Sequence, residues 1–345
     1  MQKFTLLCLL FFMCTHLQAQ DKKTLTLKGL QAKVEVLRDQ WGVNHIYASN
    51  EHDLFFTQGY CAAKDRLFQF EVWRRQATGT VAEILGAREL KRDIGTRLFK
   101  FRGDLPKELQ HYHPRGKSII EAYVEGVNTY ITEVNAKPDL LPVEFKILKI
   151  RPEKWTPEIV ISRHQGLLGN ITQELNIGRA VATVGEKKVK DLIWFHPKDP
   201  NLQLDTAIRG DLLKADILAL YNAYRTEVEF TKSDIMEHDE DDVSALDILN
   251  KRKQLADFLP EQEMEGSNNW VISGRKTASG FPMLANDPHR KIAVPSLRYI
   301  VHLVAPGWNV IGGGEPEIPG VSIGHNEFGA WGLTIYETDG EDLYV

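Results

Sequence analysis

Residues 266–289 read Gly266-Ser-Asn-Asn-Trp-Val-Ile-Ser-Gly-Arg-Lys-Thr-Ala-Ser-Gly-Phe-Pro-Met-Leu-Ala-Asn-Asp-Pro-His289. If the bond between Gly266 and Ser267 breaks, Ser267 becomes an N-terminus that carries both a hydroxyl and a free amine. The hydroxyl oxygen can then attack a carbonyl while the amine takes its proton through a water molecule. An α-amine has a pKa of roughly 7.7 to 8.0, so it is substantially neutral near physiological pH. The stretch therefore contains the parts of a minimal catalyst for amide hydrolysis.

A Gly-Ser dipeptide alone is usually an ordinary turn, so the interpretation depends on the residues around it. Ser267-Asn-x-Trp270, followed by Leu284-Ala-Asn-Asp-Pro-His289, resembles the start of the catalytic chain of the penicillin acylase family. These N-terminal-nucleophile hydrolases include penicillin, cephalosporin and acyl-homoserine-lactone acylases. Further motifs match the family in the same order, namely Val36-Leu-Arg-Asp-Gln-Trp-Gly-Val-Asn-His-Ile-Tyr47, Gln58-Gly-Tyr-Cys-Ala-Ala-Lys-Asp-Arg-Leu-Phe-Gln69, Pro319-Gly-Val-Ser-Ile-Gly-His-Asn326 and Ala330-Trp-Gly-Leu-Thr334.

The resemblance implies an α+β fold with the four-layer αββα sandwich of N-terminal-nucleophile hydrolases. It also implies a precursor that cleaves itself at Gly266, giving a heterodimer of its own two chains. The expected parts are a mostly helical first (alpha) subunit at 20–231, a spacer peptide at 232–266 and the start of a catalytic (beta) subunit at 267–345. We expect the sequence to stop inside that catalytic subunit, which would leave the sandwich incomplete.

The polar run from Lys232 to Glu265 supports the spacer because it directly precedes Ser267. A charge run is more often just a solvated face, and that alternative stays open.

The family resemblance also suggests which residues serve the reaction. The substrate is expected to be a small-molecule acyl amide that forms an ester with Ser267. His289 would lie beside the nucleophile and position the reacting groups, although a lone His is more often structural. The backbone N–H of Ile335 would be one oxyanion donor, and the family's second donor, an Asn, would fall beyond Val345. Arg290 would favour acyl groups ending in a carboxylate if it faces the acyl pocket, and would contribute little if it faces solvent.

A calcium ion is the only cofactor that the resemblance implies, and no organic cofactor is expected. Glu174, Asp339, Asp342 and the backbone carbonyl of Glu341 match the positions that bind it. Oxygen ligands from distant segments suit Ca²⁺ better than zinc or copper. The alternative is a solvated acidic turn.

The N-terminus begins Met-Gln-Lys and continues with an apolar run from Phe4 to Cys14. The pattern predicts a signal peptide at 1–19, cut near Ala19 or Gln20, and hence a periplasmic or secreted protein. The run is too short to span a bilayer. A buried N-terminal helix and a lipoprotein anchor at Cys14 are the alternatives. After cleavage Cys61 is the only cysteine, which excludes an internal disulfide.

The composition excludes some partners. The net charge is −5, no basic run is present, and 43% of the residues are hydrophobic. A chain of this kind can build a large core but has no patch for nucleic acid or a membrane surface.

Periodicity predicts a hairpin followed by helices and then by short strands. The expected hairpin strands are 24–39 and 45–48, and the expected helices are 50–79, 114–135 and 157–184. The strands expected after Ser267 are 269–273, 282–284, 297–304, 309–311 and 331–335.

The function that these features favour is an exported amidohydrolase. The alternative is an inactive remnant or binding module that lacks the rest of the catalytic subunit.

Overall fold

The computed structural model describes residues 22–111, 113–164, 170–208, 210–234, 267–289, 293–334 and 340–344. The predicted signal peptide, most of the predicted spacer, and Gly266, Arg290, Ile335 and Asp339 lie outside the described residues. Helices dominate the first half of the described chain and strands the second half, which confirms the α+β class. Among the described residues, no helix is long and apolar enough to cross a membrane.

The helices, in chain order, are α1 (Glu51–Thr78), α2 (Ala82–Leu85), α3 (Leu90–Phe99), α4 (Leu105–His111), α5 (Gly116–Ala136), α6 (Val143–Ile147), α7 (Pro157–His164), α8 (Ile171–Val184), α9 (Glu186–Leu192), α10 (Gly210–Lys214) and α11 (Ala219–Arg225). The strands are β1 (Glu35–Arg38), β2 (Asn44–Tyr47), β3 (Ser267–Ile272), β4 (Met283–Pro288), β5 (Tyr299–Ala305), β6 (Trp308–Gly314), β7 (Ile323–Asn326) and β8 (Ala330–Trp331).

Helix α1 begins and ends where its sequence predicts. The Asn50 side chain accepts a hydrogen bond from the backbone N–H of Asp53 at 2.8 Å, which satisfies a donor that the first turn leaves free. Gly79 ends the helix with a φ of 65°, the left-handed conformation that glycine adopts without strain. The predicted helix over 50–79 is therefore confirmed.

Helices α1 and α5 pack closely because each has a glycine where the two backbones meet. A Cβ atom on Gly59 would overlap with the backbone carbonyl of Tyr123, and one on Gly126 would overlap with that of Phe56. Tyr123 and Phe56 are themselves fully buried. Small residues at the crossing let the larger side chains on either side fill the core at native density.

The main sheet has six strands in the order β1-β2-β5-β6-β7-β8. Strands β2 and β5 run parallel, and the other neighbours are antiparallel. Alternate residues of β5, from Tyr299 to Ala305, are buried against the helices. Ile46 of β2 and Leu303 of β5 are fully buried side by side. The N-terminal hairpin is therefore part of the same sheet and core as the strands that follow Ser267.

Two strand predictions are wrong in their extent. Residues 24–34 form no strand, because the Asp53 carboxylate accepts hydrogen bonds from the backbone N–H groups of Gln31 and Ala32 at 2.9 and 2.8 Å. Residues 332–334 also lie outside any strand, since side-chain amides bind the backbone there. The sequence analysis did not predict β7. The helix expected over 157–184 is found as α7 and α8, with residues 165–169 between them undescribed.

Candidate active site

Ser267 is the first residue of β3, in a two-stranded antiparallel sheet with β4. The register pairs Ser267 with Pro288, so His289 follows directly after the residue opposite Ser267. The Asn-Asp-Pro-His motif and the Ser-Asn-Asn-Trp motif, about twenty residues apart in sequence, are thus brought together by strand pairing alone.

The Ser267 hydroxyl has a defined hydrogen-bond partner. Its Oγ lies 2.9 Å from Oγ1 of Thr334, and the same Thr334 Oγ1 lies 2.9 Å from the backbone carbonyl oxygen of Ser267. A carbonyl oxygen can only accept, so the single proton of Thr334 is donated to it. The proton between the two hydroxyls must then come from Ser267. This arrangement directs the O–H bond of Ser267 at Thr334 and leaves the lone pairs of Oγ facing elsewhere.

Two asparagine side chains hold the segment around Thr334 against the β3–β4 hairpin. Asn286 donates to the carbonyl of Leu333 at 2.9 Å and accepts from its N–H at 3.3 Å, which copies the pairing of a β-bridge. Asn269 donates to the carbonyl of Gly332 at 3.0 Å. These bonds explain why residues 332–334 stay beside β3 without being a strand.

Asp287 of β4 binds Asn268, the residue that follows Ser267 on β3. Its Oδ1 accepts from the backbone N–H of Asn268 at 2.9 Å, and its Oδ2 lies 3.3 Å from the Asn268 side-chain nitrogen. These hydrogen bonds, the one from the side chain first, hold the pKa of Asp287 below its ordinary value. His289 Nε2 lies 3.6 Å from Asp287 Oδ2 and 3.4 Å from the Asn268 amide nitrogen. The structure therefore places His289 beside Asn268, the residue that follows Ser267.

A shallow pocket of about 360 Å³ is lined by Asn268, Trp270, Ala285, Asn286 and Asp287. Successive side chains of a strand point to opposite faces, so Asn268 and Trp270 lie on the face of β3 opposite Ser267. We do not assign this pocket to the reaction of Ser267.

At the predicted calcium site, Asn170, the residue before α8, connects that helix to the end of the described chain. The Asn170 side chain donates to the backbone carbonyl of Glu341 at 2.9 Å and accepts from the N–H groups of Gly340 and Glu341 at 3.2 and 3.1 Å. Glu174 lies one turn further along α8, and its backbone N–H binds the Asn170 carbonyl at 3.0 Å. Predicted ligands from the two halves of the chain are thus anchored to one residue.

The donor set at this second site is compatible with a Ca²⁺ ion. The Glu341 carboxylate accepts from the Tyr221 hydroxyl at 2.7 Å, and burial, followed by this hydrogen bond, raises the pKa of Tyr221. The side chain of Glu341 is thereby used, while its carbonyl oxygen keeps one lone pair after binding Asn170. Among the described residues, no three His, Cys, Asp or Glu side chains form a group that could hold a metal, but Asp339 is not among them.

Several residues of these sites carried no role in the sequence analysis. Thr334, Asn269 and Asn286 lie inside the motifs that matched the family, but their roles depend on contacts with other segments that the sequence does not show. Asn170 and Tyr221 lie outside those motifs, and the sequence around them does not indicate their contacts with Glu341.

Comparison with known proteins agrees with these motifs. The penicillin amidase family model matches residues 33–345. The chain is 32% identical over 326 residues to penicillin acylase 2 proenzyme of Pseudomonas sp. strain SE83, a match that covers 93% of this chain and 38% of that protein. It is 29% identical over 327 residues to acyl-homoserine lactone acylase QuiP of Pseudomonas aeruginosa, covering 92% of this chain and 35% of that one. Penicillin G acylase of Escherichia coli is 27% identical over 339 residues, covering 91% and 40%.

The match begins before β1 and runs through both predicted sites to the last residue. The chain spans 35% to 40% of the length of these three relatives. Because the family model covers nearly the whole sequence, the chain belongs to the penicillin amidase family.

Proposed function

We propose that this chain is the N-terminal part of the catalytic machinery of an exported amidohydrolase, which cleaves itself at Gly266-Ser267 and then hydrolyses acyl amides through an ester on Ser267. The observation that carries the proposal is the hydrogen-bonded position of Ser267 at the start of β3, with its hydroxyl proton directed at Thr334. The family membership supports the same reaction class.

The self-cleavage step needs only groups from one chain. Ser267 Oγ attacks the carbonyl carbon of Gly266, the bond from that carbon to the Ser267 nitrogen breaks, and the proton lost by Oγ passes to that nitrogen, which leaves an ester on Ser267 and a free amine. Water then hydrolyses the ester, which frees the Gly266 carboxylate and restores the Ser267 hydroxyl. Gly266 suits this step because it has no side chain to obstruct the approach.

The same hydroxyl serves the second reaction. The freed α-amine takes the Ser267 proton through a water molecule as Oγ attacks the substrate carbonyl, and the leaving amine receives that proton. We assign the backbone N–H of Ile335, the residue after Thr334, as a donor to the oxyanion. Loss of one such donor typically lowers the rate by about 10² to 10³.

The structure supports a heterodimer as the product of cleavage, because the two halves share one sheet. Strand β2 lies before the cut and pairs with β5 after it. The Gln58 side chain exchanges two hydrogen bonds of 2.9 Å with the backbone of Gly320. Breaking the Gly266-Ser267 bond leaves these contacts and the common core in place.

The relatives named as penicillin acylases and acyl-homoserine lactone acylases support a small acyl amide as the substrate. We propose that Arg290, next to His289, selects for acyl groups that carry a carboxylate, since a guanidinium can form a bidentate contact with one. Export follows from the signal peptide proposed at 1–19 and places the reaction in the periplasm or outside the cell.

The reaction is tested by trapping the ester. The protein expressed from its complete reading frame is incubated with a penicillin and with an acyl-homoserine lactone, quenched in acid within the first turnovers and digested for mass spectrometry. We expect the acyl mass on the peptide that begins with Ser267. Release of product with the acyl mass on another residue would refute the assignment of the nucleophile.

Thr334→Val is expected to lower kcat by about tenfold to a hundredfold, the loss typical of a reacting group that is no longer held in position. Valine keeps the branched shape and removes only the hydroxyl that accepts the hydrogen bond from Ser267 Oγ. Thr334→Ser restores a hydroxyl and should recover most of the rate, with KM nearly constant in both variants. Steady-state kinetics check this, and a Thr334→Val variant that is as fast as the unmutated protein while Thr334→Ser is slower would show that Thr334 acts through shape alone.

We further propose that Glu174, Asp339, Asp342 and the Glu341 carbonyl hold a structural Ca²⁺ ion. Chelation with EGTA should then lower the Tm, because an ion bound only by the folded state stabilises it. Asp342→Ala should abolish that sensitivity. Glu341→Gln is the matched control, since it keeps the carbonyl ligand and should retain the chelator effect. A chelator effect that persists in Asp342→Ala would place the ion elsewhere.

A further inference from the structure

Two histidines on adjacent strands face each other on the side of the main sheet away from the helices. His45 of β2 and His302 of β5 are directly paired in the parallel register. Their neighbours Ile46 and Leu303 point the other way, into the core. The two Nδ1 atoms lie 3.0 Å apart, with the ring planes nearly perpendicular at 88°. The reaction proposed for Ser267 uses neither ring.

The partner of His45 on its other nitrogen fixes its tautomer. Nε2 of His45 lies 3.4 Å from Oδ2 of Asp39. An ionised carboxylate can only accept a hydrogen bond, so Nε2 carries a proton. In the neutral ring, Nδ1 then carries no proton, and its lone pair faces His302.

The partner of His302 has the same effect. Nε2 of His302 lies 3.0 Å from Oδ1 of Asn309. The Asn309 amide is oriented by its NH₂ group, which donates to Oε1 of Glu327 at 2.8 Å. The oxygen of the amide therefore faces His302 and receives a proton from Nε2. The Nδ1 atom of His302 is therefore also unprotonated, and its lone pair faces His45.

Two lone pairs held 3.0 Å apart repel each other unless a cation binds at both nitrogens, either a proton shared in an N–H···N hydrogen bond or a metal ion. Metal-binding histidines characteristically donate their second ring N–H to a carboxylate or a carbonyl-type oxygen, and both rings here do so. The distance between the two Nδ1 atoms also favours some metal ions over others. Two nitrogens bound at about 2.1 Å and meeting at a right angle are about 3.0 Å apart, whereas tetrahedral zinc needs roughly 3.3 Å. Right-angled nitrogen ligands are typical of Cu²⁺ and Ni²⁺.

The geometry points to a metal site in which the Nδ1 atoms of His45 and His302 together bind Cu²⁺ or Ni²⁺. The protein supplies two ligands, since no larger metal-binding group exists among the described residues. Solvent completes the coordination, and it has access because the His45 side chain is 24% exposed. Asp39 and Asn309 hold the rings without binding the ion. This site is independent of Ser267 and differs in chemistry from the oxygen site proposed for Ca²⁺.

The test uses the complete protein, stripped with EDTA and returned to excess Ca²⁺, with the Tm measured against added Cu²⁺, Ni²⁺, Zn²⁺ and Mg²⁺. We expect the Tm to rise by several degrees with Cu²⁺, less with Ni²⁺ and Zn²⁺, and not at all with Mg²⁺, following the general order of affinity of nitrogen ligands. His45→Gln and His302→Gln should each remove the rise. His325→Gln is the matched control, because His325 lies on the same face of the sheet in β7 but outside the pair.

A spectroscopic measurement on the unmutated protein does not depend on how the variants fold. Electron paramagnetic resonance of one equivalent of Cu²⁺ should show hyperfine coupling to two imidazole nitrogens. A signal without imidazole coupling would overturn the proposal, as would a metal-induced rise in Tm that survives in both His45→Gln and His302→Gln or that is lost in His325→Gln. Absence of any Tm change with Cu²⁺ in the unmutated protein would overturn it as well.

Discussion

Ser267→Ala protein should remain a single uncut chain and should hydrolyse acyl amides at a rate lower by on the order of 10⁶, the loss typical when a serine nucleophile is removed. The reason is that one oxygen atom serves both reactions. Alanine removes that oxygen and with it the hydrogen bond of 2.9 Å to Thr334, while β3 can still pair with β4 through its backbone. Intact-mass measurement and a product assay on the same preparation check both losses.

Two further variants separate the reactions. Ser267→Cys keeps a nucleophile at the same place and should still cleave the chain, because a thiolate can carry out the same attack. Producing the two halves as separate chains, with Ser267→Ala at the start of the second half, removes the need for self-cleavage and should still give no turnover. Processing of the single-chain Ser267→Ala protein at the same bond would mean that an external protease makes the cut.

The second large effect is expected at Glu71, which is only 1% exposed inside α1. Its carboxylate accepts from Arg74 at 3.0 and 2.8 Å, from Arg75 at 2.7 Å and from the backbone N–H of Glu153 at 3.0 Å. Glu71→Ala removes the buried anion that Arg74 and Arg75 share and leaves these guanidinium groups only the exposed carboxylates of Glu153 and Glu83. Removing one partner of a buried ion pair destabilises a protein by about 3 to 5 kcal/mol. Urea denaturation should show that loss.

Glu153→Ala is the matched control for Glu71. Glu153 pairs with the same Arg74 at 3.1 Å, but its side chain is 60% exposed. Exposed ion pairs contribute about 0 to 1 kcal/mol, so this variant should unfold almost as the unmutated protein does. Similar losses of unfolding free energy for Glu71→Ala and Glu153→Ala would show that burial does not decide the strength of this cluster.

Local patterns in the sequence were enough to predict helices and strands whose ends depend on nearby residues. Asn50 and Gly79 mark the ends of α1 because capping depends on residues within one turn. The pairing of Ser267 with the Asn-Asp-Pro-His segment was implicit in two short strands joined by a glycine-containing turn. The role proposed for Ser267 rests on the residues that surround it in the sequence.

Contacts between distant segments were beyond what the sequence alone could predict. Asn170 binds Glu341, which lies 171 residues further along the chain, and the residues near Asn170 do not predict that contact. The side chain of Asn286 binds the backbone of Leu333 in place of a neighbouring strand, so the strand expected over 331–335 does not continue through residues 332–334. The sequence of the helix around Glu71 is the same whether its carboxylate is exposed to water or buried in ion pairs, so the sequence alone does not predict its burial.

The central claim is that Ser267 cleaves its own chain, and the most direct measurement is the N-terminal sequence of material made in the absence of other proteases. The complete reading frame should be translated in a system reconstituted from purified components, purified through a C-terminal tag and analysed by mass spectrometry over time. We expect a chain that begins with Ser267 to appear, at a rate independent of protein concentration. A chain that stays intact there, or that is cut at another bond, would contradict it.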